Sequence, residues 1–454
     1  MLIDLSHLRY PLPPDVQRLF EAGDFARMER VIALRLADPR VPEPLKARLR
    51  FQLDIARELP RAYPHTQAAL LAQLTERIAD FAPEELEALR DDGTLDWRYV
   101  GGEVRFKDNC ISNLFKTRAE YAARAVDPQI VASAKASAAR LDAVIADMKR
   151  RGGLRVRFAL RETMTVQSDA LTPGETLRVH LPLPVVGAQV KSASLLATSH
   201  APKFIAPEDE PHRTVYFELP YEPGMTVSAD IAYEIDAPYC EPRPEDVSPE
   251  QPSFDTEELP PHVVFTPYLR ALAEQIVGKE TNPLIKARRI YDFITTQSVY
   301  RFMPPYLTVT NIPEYVLSGL RGDCGVQALT FITLCRLVGI PAQWQAGLYT
   351  TPVSVGNHDW ARFYVAPYGW LFADCSFGGA AYRAGATDRW NFYFGNLEPW
   401  RLPLCRAFQQ EFNPPRRFLR RDPYDNQNGE IETLTRALDR HEYDTDATIL
   451  SCET

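Results

Sequence analysis

The chain has 454 residues, of which 45% are hydrophobic and 24% are charged, and its formal net charge at pH 7 is −9. These values are typical of a globular protein, and the length predicts two or three domains. The acidic balance and the lack of a Lys/Arg-rich run with interleaved aromatic residues argue against a nucleic-acid-binding protein, because phosphate binding needs a basic surface.

The sequence predicts neither a membrane partner nor an exported protein. No apolar run approaches the roughly 20 residues that a membrane helix needs. The first residues, MLIDLSHLRYPLPPDVQ, lack the basic region and the apolar core of a secretory signal. The seven cysteines are too few and too scattered for a disulfide framework. We therefore expect a cytoplasmic protein, and since no CxxC or HExxH motif occurs, no metal and no cofactor.

Residues 1–152 are predicted to form a helical N-terminal domain, because apolar side chains recur there at three- to four-residue spacing. The clearest helix begins after Asp127 and Pro128 and ends at Gly152-Gly153. Residues 93–106 interrupt this pattern as a small hairpin with a Gly-Gly turn. No group of polar residues in this domain indicates chemistry.

Residues 153–236 change to a two-residue period and predict an antiparallel β-sandwich. The alternating segments include LRVRFAL, TLRVHLPLP, TVYFEL and TVSADIAYEI, separated by Pro, Gly and Asp clusters. Residues 237–262 are rich in proline and acidic residues, so we expect an extended, solvated linker. Residues 263–400 and a C-terminal extension, 401–454, follow. In the extension, Asn428-Gly429 predicts a two-residue hairpin turn.

One helix of the fourth segment is predicted to begin at a cysteine. In RGDCGVQALTFITLCRLVGIPAQW, Asp323 is a candidate N-cap for a helix that starts at Cys324, and Gly339 and Pro341 are stop signals. A thiol at this end of the helix dipole is expected to have a lowered pKa, which makes Cys324 a candidate nucleophile. Cys335, in the middle of the helix, is expected to be an ordinary buried thiol.

A histidine and an aspartate follow on a predicted hairpin. HDWARFYVA and GWLFADCS form its two strands, and their turn brings His358 and Asp374 to the same end on adjacent strands. A thiol, an imidazole and an orienting carboxylate are the groups that nucleophilic catalysis requires. Asp359 should point to the opposite face of its strand, which makes it the lesser candidate for the orienting role.

These motifs resemble the transglutaminase-like superfamily over roughly residues 265–400. The matching pieces are GDCGVQALTFITLCRLVGIPAQWQAG, HDW and GWLFADCSFGG, preceded by YDFITTQSVYRF and IPEYVLSGLRGDCG. The resemblance implies an α+β chain with a papain-like catalytic domain, and its bacterial members often carry a preceding β-sandwich. Arg362 departs from the family pattern, which commonly has an acidic residue there.

The resemblance implies that Cys324 attacks an amide or peptide carbonyl and forms a thioester, with His358 protonating the leaving amine and Asp374 orienting His358. The amide of Cys324 is one oxyanion donor, and Tyr300 or Gln297 is a candidate for the other. We expect a protein or peptide substrate and hydrolysis by water. The alternatives are an amine-transferring transglutaminase and a non-catalytic scaffold that retains the fold.

Overall fold

The computed structural model describes residues 2–167 and 169–453, which combine helices with several antiparallel sheets in an α+β fold. The N-terminal region is mostly helical, as its apolar spacing predicts. Its elements are α1 (Pro14–Glu21), α2 (Phe25–Ala37), α3 (Glu43–Ala62), β1 (His65–Thr66), α4 (Gln67–Arg77), α5 (Pro83–Asp91), β2 (Trp97–Val100), β3 (Glu103–Phe106), α6 (Cys110–Thr117), α7 (Ala119–Ala123) and α8 (Gln129–Arg151).

Two small cores hold this region together. One lies among α1, α2 and α3 and includes Val16, Ile32 and Leu49, while the other lies beneath α4, α5 and α6 and includes Leu74 and Phe106. The predicted hairpin is present as β2 and β3, which pair in an antiparallel manner. Both glycines of its turn have positive φ, the conformation for which glycine is favoured there.

The predicted sandwich begins with β4 (Gly153–Val166), β5 (Thr176–Pro182), β6 (Val190–Thr198), β7 (Phe204–Ile205), β8 (Thr214–Pro220) and β9 (Thr226–Pro238). Side chains of β9 alternate between buried and partly exposed along its length. This alternation places one face of the strand in the core, which is the expected behaviour of a sheet with one solvated face.

The proline-rich segment after β9 is irregular, as predicted, but it is anchored to the domain that follows. The Cys240 amide donates to Asn396 Oδ1 at 2.8 Å, and Asn396 Nδ2 donates to the Cys240 carbonyl at 2.8 Å. His262 is fully buried, with its Nε2 at 2.9 Å from the Tyr424 hydroxyl. The segment is therefore packed against the protein and is not a freely solvated linker.

The next elements are α9 (Pro267–Val277), α10 (Pro283–Gln297), β10 (Val299–Tyr300), α11 (Ile312–Gly319), β11 (Arg321–Gly322), α12 (Cys324–Leu337), β12 (Ala342–Thr351), β13 (Ser354–Val365), β14 (Gly369–Ala373), α13 (Cys375–Arg383), α14 (Thr387–Phe392), β15 (Phe394–Gly395) and β16 (Arg401–Cys405). These strands form two sheets. The larger one is antiparallel, in the order β15-β14-β13-β12-β16, and the smaller one is the parallel pair of β10 and β11. Helix α12 is apolar on all sides and is buried from Gly325 to Cys335, so it forms the centre of this domain.

The C-terminal segment completes the sandwich. Its strands are β17 (Glu430–Thr433), which pairs with β5, and β18 (Tyr443–Glu453), which pairs with β4. The two sandwich sheets are therefore β17-β5-β8-β7 and β18-β4-β9-β6. The prediction of a hairpin at Asn428-Gly429 is wrong, because β17 takes β5 as its partner. Gly429 is required there because a Cβ atom would lie 2.1 Å from the His180 carbonyl oxygen.

Within residues 2–167 and 169–453, none of the helices combines the length and the apolar character that crossing a bilayer demands.

Candidate active site

The start of α12 is held by a capped N-terminus. The Asp323 carboxylate accepts a hydrogen bond from the Val326 amide at 3.2 Å and another from the Tyr306 hydroxyl at 2.6 Å. Cys324 follows as the first helical residue and is half-buried. The predicted N-cap and helix start are both confirmed.

The Cys324 thiol contacts an aspartate of the sheet. Its Sγ donates to Asp359 Oδ2 at 3.4 Å. Asp359 is therefore the residue of β13 that lies directly beside the thiol. No hydrogen bond joins Cys324 Sγ to His358 in the described part of the chain.

The two oxyanion candidates occupy different surroundings. Tyr300 lies on β10, opposite Gly322 of β11, and it is 9% exposed. Burial raises the pKa of Tyr300 most, and its neighbour Cys324 raises it further, both through its charge and through a side-chain hydrogen bond. Gln297 is exposed, and its Nε2 donates to Thr296 Oγ1 at 3.1 Å. Of the two, Tyr300 is the residue next to the thiol.

The electrostatic surroundings of the thiol differ from the sequence expectation. Burial raises the pKa of Cys324 well above its usual value, and the carboxylates of Asp359 and Asp323 raise it further. Lys116 opposes them and lowers this pKa. The expectation of a lowered pKa is therefore wrong: it considered the helix dipole, whereas burial and the neighbouring carboxylates depend on tertiary packing.

His358 and Asp374 are in direct contact. The side chains meet with Nε2 at 2.7 Å from Asp374 Oδ2. Asp374 is also the N-cap of α13, where its Oδ1 accepts from the Phe377 amide at 2.9 Å. Burial lowers the pKa of His358 to about 4, although Asp374 acts in the opposite direction. The imidazole is therefore neutral at pH 7, and Nε2 carries the proton that it donates to the carboxylate.

An arginine and a glutamate that the sequence did not identify extend this contact. Arg401 of β16 donates from Nη1 to Asp374 Oδ2 at 2.7 Å and from Nε to Glu398 Oε1 at 2.6 Å. All three side chains are buried. Burial alone would raise the pKa of Asp374, but His358 and Arg401 hold it below its usual value. No local pattern pairs Arg401 with Asp374, since the two residues are 27 positions apart and belong to different elements.

The C-terminal segment also reaches this site. Gln427 Nε2 donates to Asp359 Oδ1 at 2.6 Å and to the His358 carbonyl at 3.2 Å. Burial raises the pKa of Asp359 well above its usual value, with further contributions from Asp425 and Asp323. Two other carboxyl groups therefore influence the one that contacts the thiol. In residues 2–167 and 169–453, no cluster of three or more His, Cys, Asp or Glu side chains is arranged to hold a metal ion.

Several solved structures are similar to this chain. A candidate cysteine protease from Cytophaga hutchinsonii has a TM-score of 0.42 and 14% identity, and the match covers 66% of this chain and 90% of that one. The periplasmic domain of TgpA from Pseudomonas aeruginosa has a TM-score of 0.28 and 16% identity, covering 54% and 93%. A candidate protease from Parabacteroides distasonis has a TM-score of 0.20 and 11% identity, covering 49% and 59%.

Sequence comparison adds one curated relative and one family. An uncharacterized protein from Haemophilus influenzae is 27% identical over 150 residues, and the match covers 27% of this chain. The chain spans 41% of the length of that relative. The sequence model of the transglutaminase-like superfamily matches residues 270–375, which include Cys324, His358 and Asp374. The resemblance predicted from the motifs is confirmed over this range, and residues 270–375 form a transglutaminase-like domain.

Proposed function

We propose that the protein is a cysteine hydrolase that cleaves an amide or peptide bond in a protein or peptide substrate through a thioester on Cys324. The observation that carries this proposal is the buried contact of His358 Nε2 with Asp374 Oδ2 at 2.7 Å, backed by Arg401. The contact fixes the tautomer, because Nε2 must carry a proton to donate to the carboxylate. Nδ1 is left unprotonated and able to accept a proton.

The reaction begins with transfer of the Cys324 proton to His358. The thiol must first leave its hydrogen bond with Asp359 and turn towards the imidazole. Sγ then attacks the carbonyl carbon while the carbonyl electrons move to oxygen. His358 gives the proton to the departing amine, which breaks the carbon–nitrogen bond and leaves the thioester. The Cys324 amide and the Tyr300 hydroxyl are the proposed donors to the oxyanion.

Water is the proposed acceptor of the acyl group. Cys324 is half-buried, so one side of the thioester stays open to solvent. An amine replaces water as the acceptor of the acyl group only where a closed groove excludes water from the thioester. This exposure supports hydrolysis over amine transfer, which is the alternative fate of the same thioester.

A second candidate function is a scaffold that retains the fold without catalysis. The observation that favours it is the hydrogen bond from Cys324 to Asp359, together with the raised pKa of the thiol, since a neutral thiol is a poor nucleophile. We propose the catalytic function because the histidine, its carboxylate and the buried arginine form a complete hydrogen-bonded group.

The compartment belongs to the same proposal. All seven cysteines are unpaired, which is typical of proteins in a reducing environment. We propose the cytoplasm on this basis.

The test combines labelling with a substrate assay. Iodoacetamide at pH 7.5 should modify Cys324, read by peptide mass spectrometry, and Cys324→Ser should lose both the label and the activity. Cys240→Ser is the matched control, because Cys240 is another half-buried thiol and should be dispensable. A glutamine-containing peptide with excess primary amine should yield mostly the free acid. Mostly amine adduct would indicate a transglutaminase, and labelling without turnover of any peptide in a diverse library would favour the scaffold.

A further inference from the structure

The helical N-terminal domain docks against the strands that lead into Cys324. Asn113 of α6 accepts a hydrogen bond from the Phe302 amide at 3.2 Å, just after β10. Arg301 donates to the Gly93 carbonyl at 3.3 Å, and Arg321 of β11 donates to the Asp92 carbonyl. Both strands of the β10–β11 pair are therefore attached to this domain, although the sequence predicts no chemistry for it.

This docking places Lys116 next to the candidate active site. Lys116 lies three residues after Asn113, on the same side of α6. Its Nζ is 3.5 Å from the centre of the Tyr300 ring and 5.3 Å from that of Phe302. Tyr300 is in turn the hydroxyl neighbour of the Cys324 thiol. The ammonium group is thus separated from the nucleophile by a single aromatic side chain.

The position of Lys116 leaves its hydrogen-bond donors free. An aromatic face attracts a cation but does not saturate the three N–H donors of an ammonium group. Lys116 is exposed, and among the residues described it forms no ion pair and no hydrogen bond through Nζ. Arg401, by contrast, is buried and engaged by Asp374 and Glu398. Lys116 is therefore a cation beside the thiol that remains available to a ligand.

The charges around Lys116 explain why this cation matters. Two acidic side chains, Asp323 and Asp359, lie close enough to the thiol to raise its pKa. Lys116 interacts electrostatically with Cys324, Asp323 and Asp374, so its field reaches the position where a substrate carbonyl would lie. A substrate carboxylate next to the scissile bond would therefore bind on the side of the thiol where the Lys116 ammonium group lies.

We propose that Lys116 forms an anion-binding subsite beside Cys324 that holds a carboxylate of the substrate, so the substrate is an acidic peptide. This inference rests on the proposed function, because it assigns the substrate class of the same cysteine. Tyr300 and Phe302 hold the cation in place, and the N-terminal domain supplies it to the transglutaminase-like domain.

The test compares two alkylating agents that differ in charge. Both form a bond from Cys324 Sγ to a methylene carbon and release iodide, but iodoacetate carries a carboxylate where iodoacetamide carries an amide. The ratio of their rates on Cys324 cancels any common change in the thiolate fraction. Lys116→Met should lower this iodoacetate-to-iodoacetamide ratio by about fivefold, and Lys116→Arg should keep it, since a charge a few ångströms away acts strongly at a partly buried site.

The controls separate the possible failures. Lys46→Met removes the same charge on α3, near Asp38 and Glu43, and should leave the ratio unchanged. Melting curves identify any variant that fails to fold. If Lys116→Met does not fold, the native protein provides the test instead, because its iodoacetate-to-iodoacetamide ratio should fall as salt is added. An unchanged ratio in folded Lys116→Met, or a ratio insensitive to salt, overturns the subsite while leaving Cys324 reactive. Failure of both reagents to label Cys324 overturns the proposed function itself.

Discussion

His358 and Asp359 are neighbours on β13 but have different partners. His358 is held by Asp374, whereas Asp359 accepts the hydrogen bond of the Cys324 thiol. A one-residue difference in position therefore separates an imidazole fixed for proton transfer from a carboxyl group that keeps the thiol neutral.

Asp374→Asn should lower the rate of acyl transfer by about 10⁴-fold, because an amide cannot hold the same tautomer of His358. The variant should also be less stable by about 3 kcal/mol, since Arg401 loses one partner of a buried ion pair. Steady-state kinetics and urea unfolding measure the two effects. An active variant would transfer the orienting role to another residue, with Asp359 as the next candidate.

Asp359→Asn should make the thiol more acidic. Burial and the Asp359 carboxylate both raise the pKa of Cys324, and the substitution removes the second of these influences. The rate of iodoacetamide labelling at pH 7.5 should rise by about three- to tenfold. Glu222→Gln removes an exposed carboxylate from the sandwich and serves as the control for general effects of charge. A labelling rate equal to that of the native protein would contradict this account.

At the scale of elements, the packing of α12 on the sheet determines where the thiol lies. Gly325 follows Cys324 on the helix, and a Cβ atom there would lie 2.3 Å from the Tyr306 hydroxyl and 2.6 Å from Asp359 Oδ2. The missing side chain lets the helix start approach the sheet closely. The contact between Cys324 and Asp359 depends on this approach.

Gly325→Ala should therefore displace the start of α12, lower the stability by about 2 kcal/mol and reduce activity strongly, because an extra methyl group overpacks the site. Gly319→Ala is the matched control. Gly319 is the last residue of α11, and a Cβ atom there meets nothing within 4 Å. Thermal unfolding and labelling of Cys324 distinguish the two, and equal behaviour of both variants would refute the close-packing explanation.

The whole molecule is tied together by contacts between distant parts of the chain. The C-terminal segment supplies β17 and β18 to the sandwich, and between β16 and β17 it contributes Gln427 to the candidate site. The N-terminal domain contributes Lys116 from the other side. The candidate site is therefore assembled from three regions of the sequence, and loss of either terminal region would alter it.

A buried carboxyl group makes the stability of the molecule depend on pH. Both side-chain oxygens of Glu162, on β4, lack a hydrogen-bond partner among the residues described, and burial raises its pKa from 4.5 to about 8. The folded state therefore binds this proton more tightly than the unfolded state. The stabilising effect is complete below pH 4.5 and is lost as the pH rises towards 8.

Glu162→Gln should abolish this dependence and make the protein more stable than the native form at about pH 8.5, by about 3 kcal/mol. Urea unfolding at roughly pH 5, 6.5 and 8.5 measures the difference between the two proteins on both sides of the raised pKa. Glu222→Gln, which changes an exposed carboxyl group in the turn between β8 and β9, should follow the native curve. If the stability of Glu162→Gln changed with pH in the same way as that of the native protein, the raised pKa of Glu162 would be contradicted.

The local features of the candidate site could be predicted from the sequence. The start of α12 at Cys324, its cap at Asp323 and the hairpin that joins His358 to Asp374 all depend on residues close together in the chain. Capping, periodicity and turn chemistry act over a few residues, so they leave a readable pattern. The alternation of residues 153–236 predicted the sandwich for the same reason.

The partners of these groups depend on tertiary packing. Arg401, Asp359, Gln427 and Lys116 reach the site from separate elements, and no periodicity connects them. The pKa of Cys324 is raised by burial and by carboxylates that folding brings close to the thiol. Local sequence specifies the elements and the motif that carries the nucleophile. Packing specifies which charges surround that nucleophile, because electrostatic energy depends on distance and burial in space and not on separation along the chain.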